Sequence, residues 1–132
     1  MRLAQPQGRG SGNKQKGDLG EEIAADFLER LGYTIVEKKF KYGRIGEIDI
    51  VARDGDVLVF CEVKTRTSDR CGDPEYALTR RKQEQVRYLA KAYLYRYGID
   101  EQEVRFDVVA IRFDGAGPKI DYFKAAFDII AG

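Results

Sequence analysis

In DLGEEIAADFLERL, residues 18 to 31, apolar side chains return at positions 19, 23, 24, 27, 28 and 31. Steps of three and four predict an amphipathic helix over this stretch, stopped by Gly32. Strand-like patterns follow: YTIVEKKF, 33 to 40, predicts a first strand, and Gly46 to Arg66 predicts two more around an Asp-Gly turn. The helical period returns at Val86, Leu89, Ala90, Tyr93 and Leu94, within a helix expected over 79–97. VRFDVVAIRF, 104 to 113, predicts a fourth strand and 119–124 a short fifth, while the closing AAFDIIAG reads as a short helix or an irregular segment. A strand, a long helix and another strand make a crossover, so strand four should run parallel to strand three. The expected fold is α/β, a mixed sheet of about five strands flanked by helices in the order α-β-β-β-α-β-β.

At 132 residues the chain suits one domain. Residues 1–16, rich in Gly, Gln and Lys, predict a flexible basic arm, and 17–132 the domain. The first residues lack the apolar centre of a secretory signal, and no apolar run is long enough to span a membrane, so the expected location is the cytoplasm. Cys61 and Cys71 form no CxxC pair, and Cys61 reads as a small core residue. The absence of histidine removes zinc-hydrolase motifs and Ser-His-Asp or Cys-His nucleophile systems. Chemistry in this chain falls to carboxylates, lysine or arginine, and a hard metal ion.

The net charge is only +1, but it is unevenly spread. Arg2, Arg9, Lys14 and Lys16 stand in the arm without an acid, and from Lys64 to Arg96 there are nine basic and four acidic residues. A basic middle and arm fit a polyanion-binding face as well as a solvated mixture of charges. Cations at 80, 81 and 82 open the second helix, where they oppose its dipole and suit a bound anion. The aromatics are mostly spaced as core, with no repeated platform for stacking bases, so recognition of backbone and shape is expected.

With Asp54-Gly55 as a two-residue loop, Asp49 faces Phe60 and Glu47 faces Glu62. Side chains alternate, so Glu47, Asp49, Glu62 and Lys64 share one face, and Ile48, Ile50, Val59, Cys61 and Val63 the other. Facing carboxylates repel, and a divalent cation would offset that better than Lys64 alone. Oxygen ligands in a histidine-free chain favour Mg²⁺ or Mn²⁺ over zinc. A salt-bridged solvent face explains Glu62 and Lys64 equally well, but it explains Asp49, set among apolar strand neighbours, poorly. Glu21 reads either as a functional acid or as the N3 partner of an Asp18 cap.

Asp49, then Glu62-Val63-Lys64, resembles the D…(D/E)-x-K core of the restriction-endonuclease-like nucleases. With Lys16-Gly17-x-x-Gly20-Glu21, Gly46-Glu47-Ile48-Asp49, Lys64-Thr65-Arg66, the helix around Lys82 and Arg105-Phe106-Asp107-Val108, the chain resembles the YraN family of small bacterial proteins. That family is considered similar to archaeal Holliday-junction resolvases. The resemblance implies a metal-dependent nuclease, in which Asp49, Glu62, the Val63 carbonyl and Glu21 hold Mg²⁺ or Mn²⁺. Lys64 would orient the attacking water, with Glu47 in support. Lys16, Arg66, Arg80, Arg81 and Lys82 would contact phosphates of nucleic acid, expected to be DNA, and symmetric cutting of a junction would favour a homodimer. The alternative is a non-catalytic nucleic-acid-binding module on the same fold. Asp107 is expected to pair with a buried partner such as an arginine.

Overall fold

In a computed structural model, residues 12–66, 78–113 and 115–128 are described. They form α1 (Gly12–Arg30), β1 (Thr34–Lys41), β2 (Glu47–Asp54), β3 (Val57–Arg66), α2 (Arg80–Arg96), β4 (Val104–Phe113) and β5 (Pro118–Phe127). The five strands lie in chain order in one mixed sheet, and only β3 and β4 run parallel. The expected fold and the α2 crossover are both present.

The helices cover opposite faces of the sheet. Ala24, Ala25 and Leu28 of α1 pack on Ile50, Ala52, Val59, Cys61, Val109 and Ile111. Val86, Leu89, Ala90 and Tyr93 of α2 pack on Phe40, Ile48, Val51, Leu58, Phe60 and Phe106. β3, in the middle of the sheet, is buried on both faces from Leu58 to Glu62. That is why its apolar run is nearly continuous until the charges begin.

Four details differ from the pattern-based expectation. α1 begins at Gly12, so residues 12–16 of the expected arm are helical; apolar periodicity cannot detect a helical turn made only of polar residues. β5 reaches Phe127, which takes the start of AAFDIIAG into the sheet, and 129–132 lie outside the described residues. The hairpin pairs Asp54 with Val57, so its loop is Gly55-Asp56, with positive φ at Gly55 in the first loop position. Facing partners therefore move by two residues, and Ile50 is opposite Cys61. Finally, Ile48 and Ile50 face different helices, although strict alternation would put them on one side. The strand turns over at Asp49, opposite Lys39 of β1, whose φ is +54°.

Candidate metal centre

Three carboxylates converge where α1, β2 and β3 meet. Glu21, Glu47 and Asp49 each place one oxygen within 4.8 Å of the others. Two elements of local structure bring them there. Gly20 is buried against β3, where a Cβ would collide with Thr65 Oγ1, so only glycine lets α1 come this close one residue before Glu21. Gly46, at φ +144°, lies under Gln85 of α2, and Gln85 Nε2 donates to the Ile45 carbonyl at 2.6 Å. That contact ties the entrance of β2 to the second helix.

The capping alternative for Glu21 fails, because Asp18 and Glu21 sit well inside α1. Glu21 Oε1 instead accepts from Lys39 Nζ at 2.7 Å, and the same ammonium reaches Asp18 Oδ1 at 3.4 Å. Asp49 Oδ2 accepts from the Val63 N–H at 2.8 Å, which fixes the carboxylate against β3. Glu62 is 5% exposed and lies 3.5 Å from Lys82 Nζ, while its Oε2 is buried without a hydrogen-bond partner among the described residues. Glu47 is 3.9 Å from Lys41 Nζ.

These surroundings shift the acids. Burial, opposed by the Val63 N–H and reinforced by Glu21, pushes Asp49 up to about 6. Burial and the neighbouring Asp49 push Glu62 up to about 8, although Lys82 pulls the other way. Both acids keep their protons above the usual carboxylate range chiefly because they are buried, a cost that a bound cation would offset. An all-oxygen cluster with an orphaned carboxylate oxygen beside it fits Mg²⁺ or Mn²⁺.

Glu47, Asp49, Glu62, Val63 and Lys64 line one open cleft of about 640 Å³, closed on the α2 side by Thr79, Lys82 and Gln85. Most of the residues singled out in the sequence thus meet here. Arg80 and Arg81 are exposed on the first turn of α2, and Arg66 is at the end of β3. Lys16 is in α1, its side chain outside the described residues. Under the family resemblance Glu47 has only a supporting role, whereas its carboxylate belongs to the tight cluster with Glu21 and Asp49. Lys39 was not legible as a site neighbour, since it reads as one more charge on an edge strand. Asp107, fully buried, pairs with Arg105 as expected, with Nε to Oδ1 at 2.9 Å and Nη2 to Oδ2 at 3.0 Å, and also accepts from Tyr122 and the Ala125 N–H.

The model of the family described as "Uncharacterised protein family UPF0102" matches residues 20–111. The chain belongs to UPF0102. This is the YraN family that its motifs resemble. UPF0102 proteins of Syntrophus aciditrophicus and Geobacter sulfurreducens are 43% identical over 120 residues and 46% identical over 126. Those alignments take in 91% and 94% of this chain, and 94% and 98% of the relatives. Glu21, Glu47, Asp49, Glu62, Lys64 and Lys82 all fall within the UPF0102 match. Among solved structures, Pyrococcus furiosus SfsA in complex with Ca²⁺ is similar at a TM-score of 0.40 and 15% identity, over 88% of this chain and 65% of that one. A likeness that loose bears on nothing at the site.

Proposed function

We propose that this protein is a divalent-metal-dependent phosphodiesterase that hydrolyses nucleic acid, with structured or branched DNA as its substrate. The observation that carries the reading is the convergence of Glu21, Glu47 and Asp49 at mutual distances within 4.8 Å, in the cleft that also holds Glu62, Lys64 and Lys82. Glu21, Glu47 and Asp49 would hold Mg²⁺ or Mn²⁺, with Glu62 and the Val63 carbonyl completing the set. Such an ion polarises a phosphoryl oxygen and lowers the pKa of bound water, so hydrolysis needs no histidine.

The protein's own groups divide the remaining work. The Val63 N–H holds Asp49 in one orientation. Lys82 balances Glu62 and keeps its carboxylate in the cleft. Lys64 lines the same cleft, where its ammonium orients the attacking water and offsets charge building on the phosphate. Arg80 and Arg81 continue the positive charge outward along α2, and with Arg66 they would meet flanking phosphates.

A panel of labelled duplex, junction, flap and single-stranded substrates, incubated with Mg²⁺ and Mn²⁺, tests this reading. Cleavage should require the metal and disappear in Asp49→Ala and Glu62→Ala while binding persists. No cleavage of any substrate with either metal would contradict it. One observation favours the second reading, a nucleic-acid-binding module without catalysis: Lys39 and Lys82 already supply ammonium groups to Glu21 and Glu62. That reading requires binding that a chelator leaves unchanged.

A further inference from the structure

The outward face of α2 carries a stripe that the cleft does not use. Arg81, Glu84, Tyr88, Lys91 and Tyr95 follow one another in steps of three and four, with Arg80 beside them, and all six are exposed. Tyr88 is 51% exposed and Tyr95 80%. Neither side chain makes a hydrogen bond or ring contact among the described residues. Tyr97 differs, since its hydroxyl donates to Glu37 and its ring lies against Tyr93. Two tyrosine rings, about 10 Å apart along the helix axis, are therefore exposed, Tyr88 by half and Tyr95 by most of its surface, with Lys91 between them.

The charge on this face points to one occupant. Three cations, Arg80, Arg81 and Lys91, stand against the single acid Glu84. The stripe begins at the turn whose Thr79 and Lys82 line the cleft, so a strand leaving the cleft would run onto it. Aromatic rings alternating with cations are the elements that hold unpaired bases and their phosphates. The sequence pattern concealed this platform, because α2 also carries Tyr93 in its buried stripe and the tyrosines read together as core.

We propose that the outer face of α2 docks a single-stranded segment of nucleic acid, with Tyr88 and Tyr95 stacking on bases and Arg81 and Lys91 meeting phosphates. The proposal rests on nucleic acid being the partner, as in the function proposed above, and adds which part of it is held and where. A splayed arm or flap of a branched substrate supplies such a segment, and a plain duplex does not.

The test is fluorescence anisotropy of labelled oligothymidylate titrated with the full chain in the presence of a chelator, so that nothing is cut. Tyr88→Ala and Tyr95→Ala should each weaken binding roughly five-fold or more, while Tyr88→Phe and Tyr95→Phe keep it, because the ring is what stacks. Lys91→Ala should lower the slope of log affinity against log salt by roughly 0.7, a slope the tyrosine variants leave unchanged. Melting curves confirm that these exposed substitutions fold. Alanine variants that bind like the wild type, or a wild type that binds no oligothymidylate, would overturn the proposal. Both results leave metal-dependent cleavage of a duplex or junction standing, so the two readings fail separately. If the alanine variants instead lose a dimer in sedimentation and keep their affinity, the face is a contact between two copies, and the proposal is again overturned.

Discussion

Glu62 and Asp49 are the carboxyl groups that burial holds protonated above the usual carboxylate range. A carboxyl whose folded pKa lies above its unfolded value binds its proton more tightly in the fold. Its contribution to stability is full below the unfolded value and is lost as pH rises through the folded one. For Glu62 that window runs from 4.5 to about 8. Without metal, Glu62→Gln should therefore melt at the same temperature as the wild type near the bottom of this window and higher than it at the top. Thermal denaturation across pH checks this, and a wild type that is the more stable at the top would show that Lys82 outweighs burial. Lys39 allows a second check. Its φ of +54° suits glycine, and the ion pair to Glu21 is partly exposed, so it offsets little of the strain. Lys39→Gly should keep near-native stability and bind Mn²⁺ more tightly, since Glu21 is released. Lys39→Ala should be less stable than Lys39→Gly by about 1 kcal/mol in denaturant unfolding.

Between elements, the approach of α1 to β3 decides whether Glu21 reaches Asp49. Gly20→Ala should cost about 1–3 kcal/mol and weaken Mn²⁺ binding, and Thr65→Ala in the same chain should recover most of both. A double-mutant cycle measures it, and additive losses would mean that the two residues do not set the helix position. The elements themselves were legible because their periods are strong: Ala24 and Leu28 of the first predicted stripe are buried, with Ile23 and Phe27 partly so, as are Val86, Leu89, Ala90 and Tyr93 of the second, although Leu19 and Leu31 at the ends of the first are exposed. What escaped was local geometry that periods do not encode. The polar first turns of α1, the choice of Gly55-Asp56 over Asp54-Gly55, and the turnover of β2 at Asp49 depend on contacts made only in the folded chain. The site acids were legible in kind, because Asp49 stands in an apolar strand. Their sharing of one cleft was legible too; that Glu47, and not Glu62, joins Glu21 and Asp49 in the tight cluster, with Lys39 beside them, was not.

Across the whole molecule, one sheet separates two apolar layers, and the charged ends of β2 and β3 emerge where both helices pass. No helix among the described residues is long and apolar enough to cross a membrane. Glu47 and Asp49 share the cleft with Lys82 from the basic first turn of α2, and the proposed function would hold a cation and a polyanion side by side there. Calorimetric titration of Mn²⁺ into the full chain, beside Asp49→Ala, tests that arrangement without requiring the right substrate. A saturable site in the wild type that is lost in Asp49→Ala is the predicted result. Equal uptake by both chains, or uptake by neither, would contradict a metal centre built on Glu21, Glu47 and Asp49.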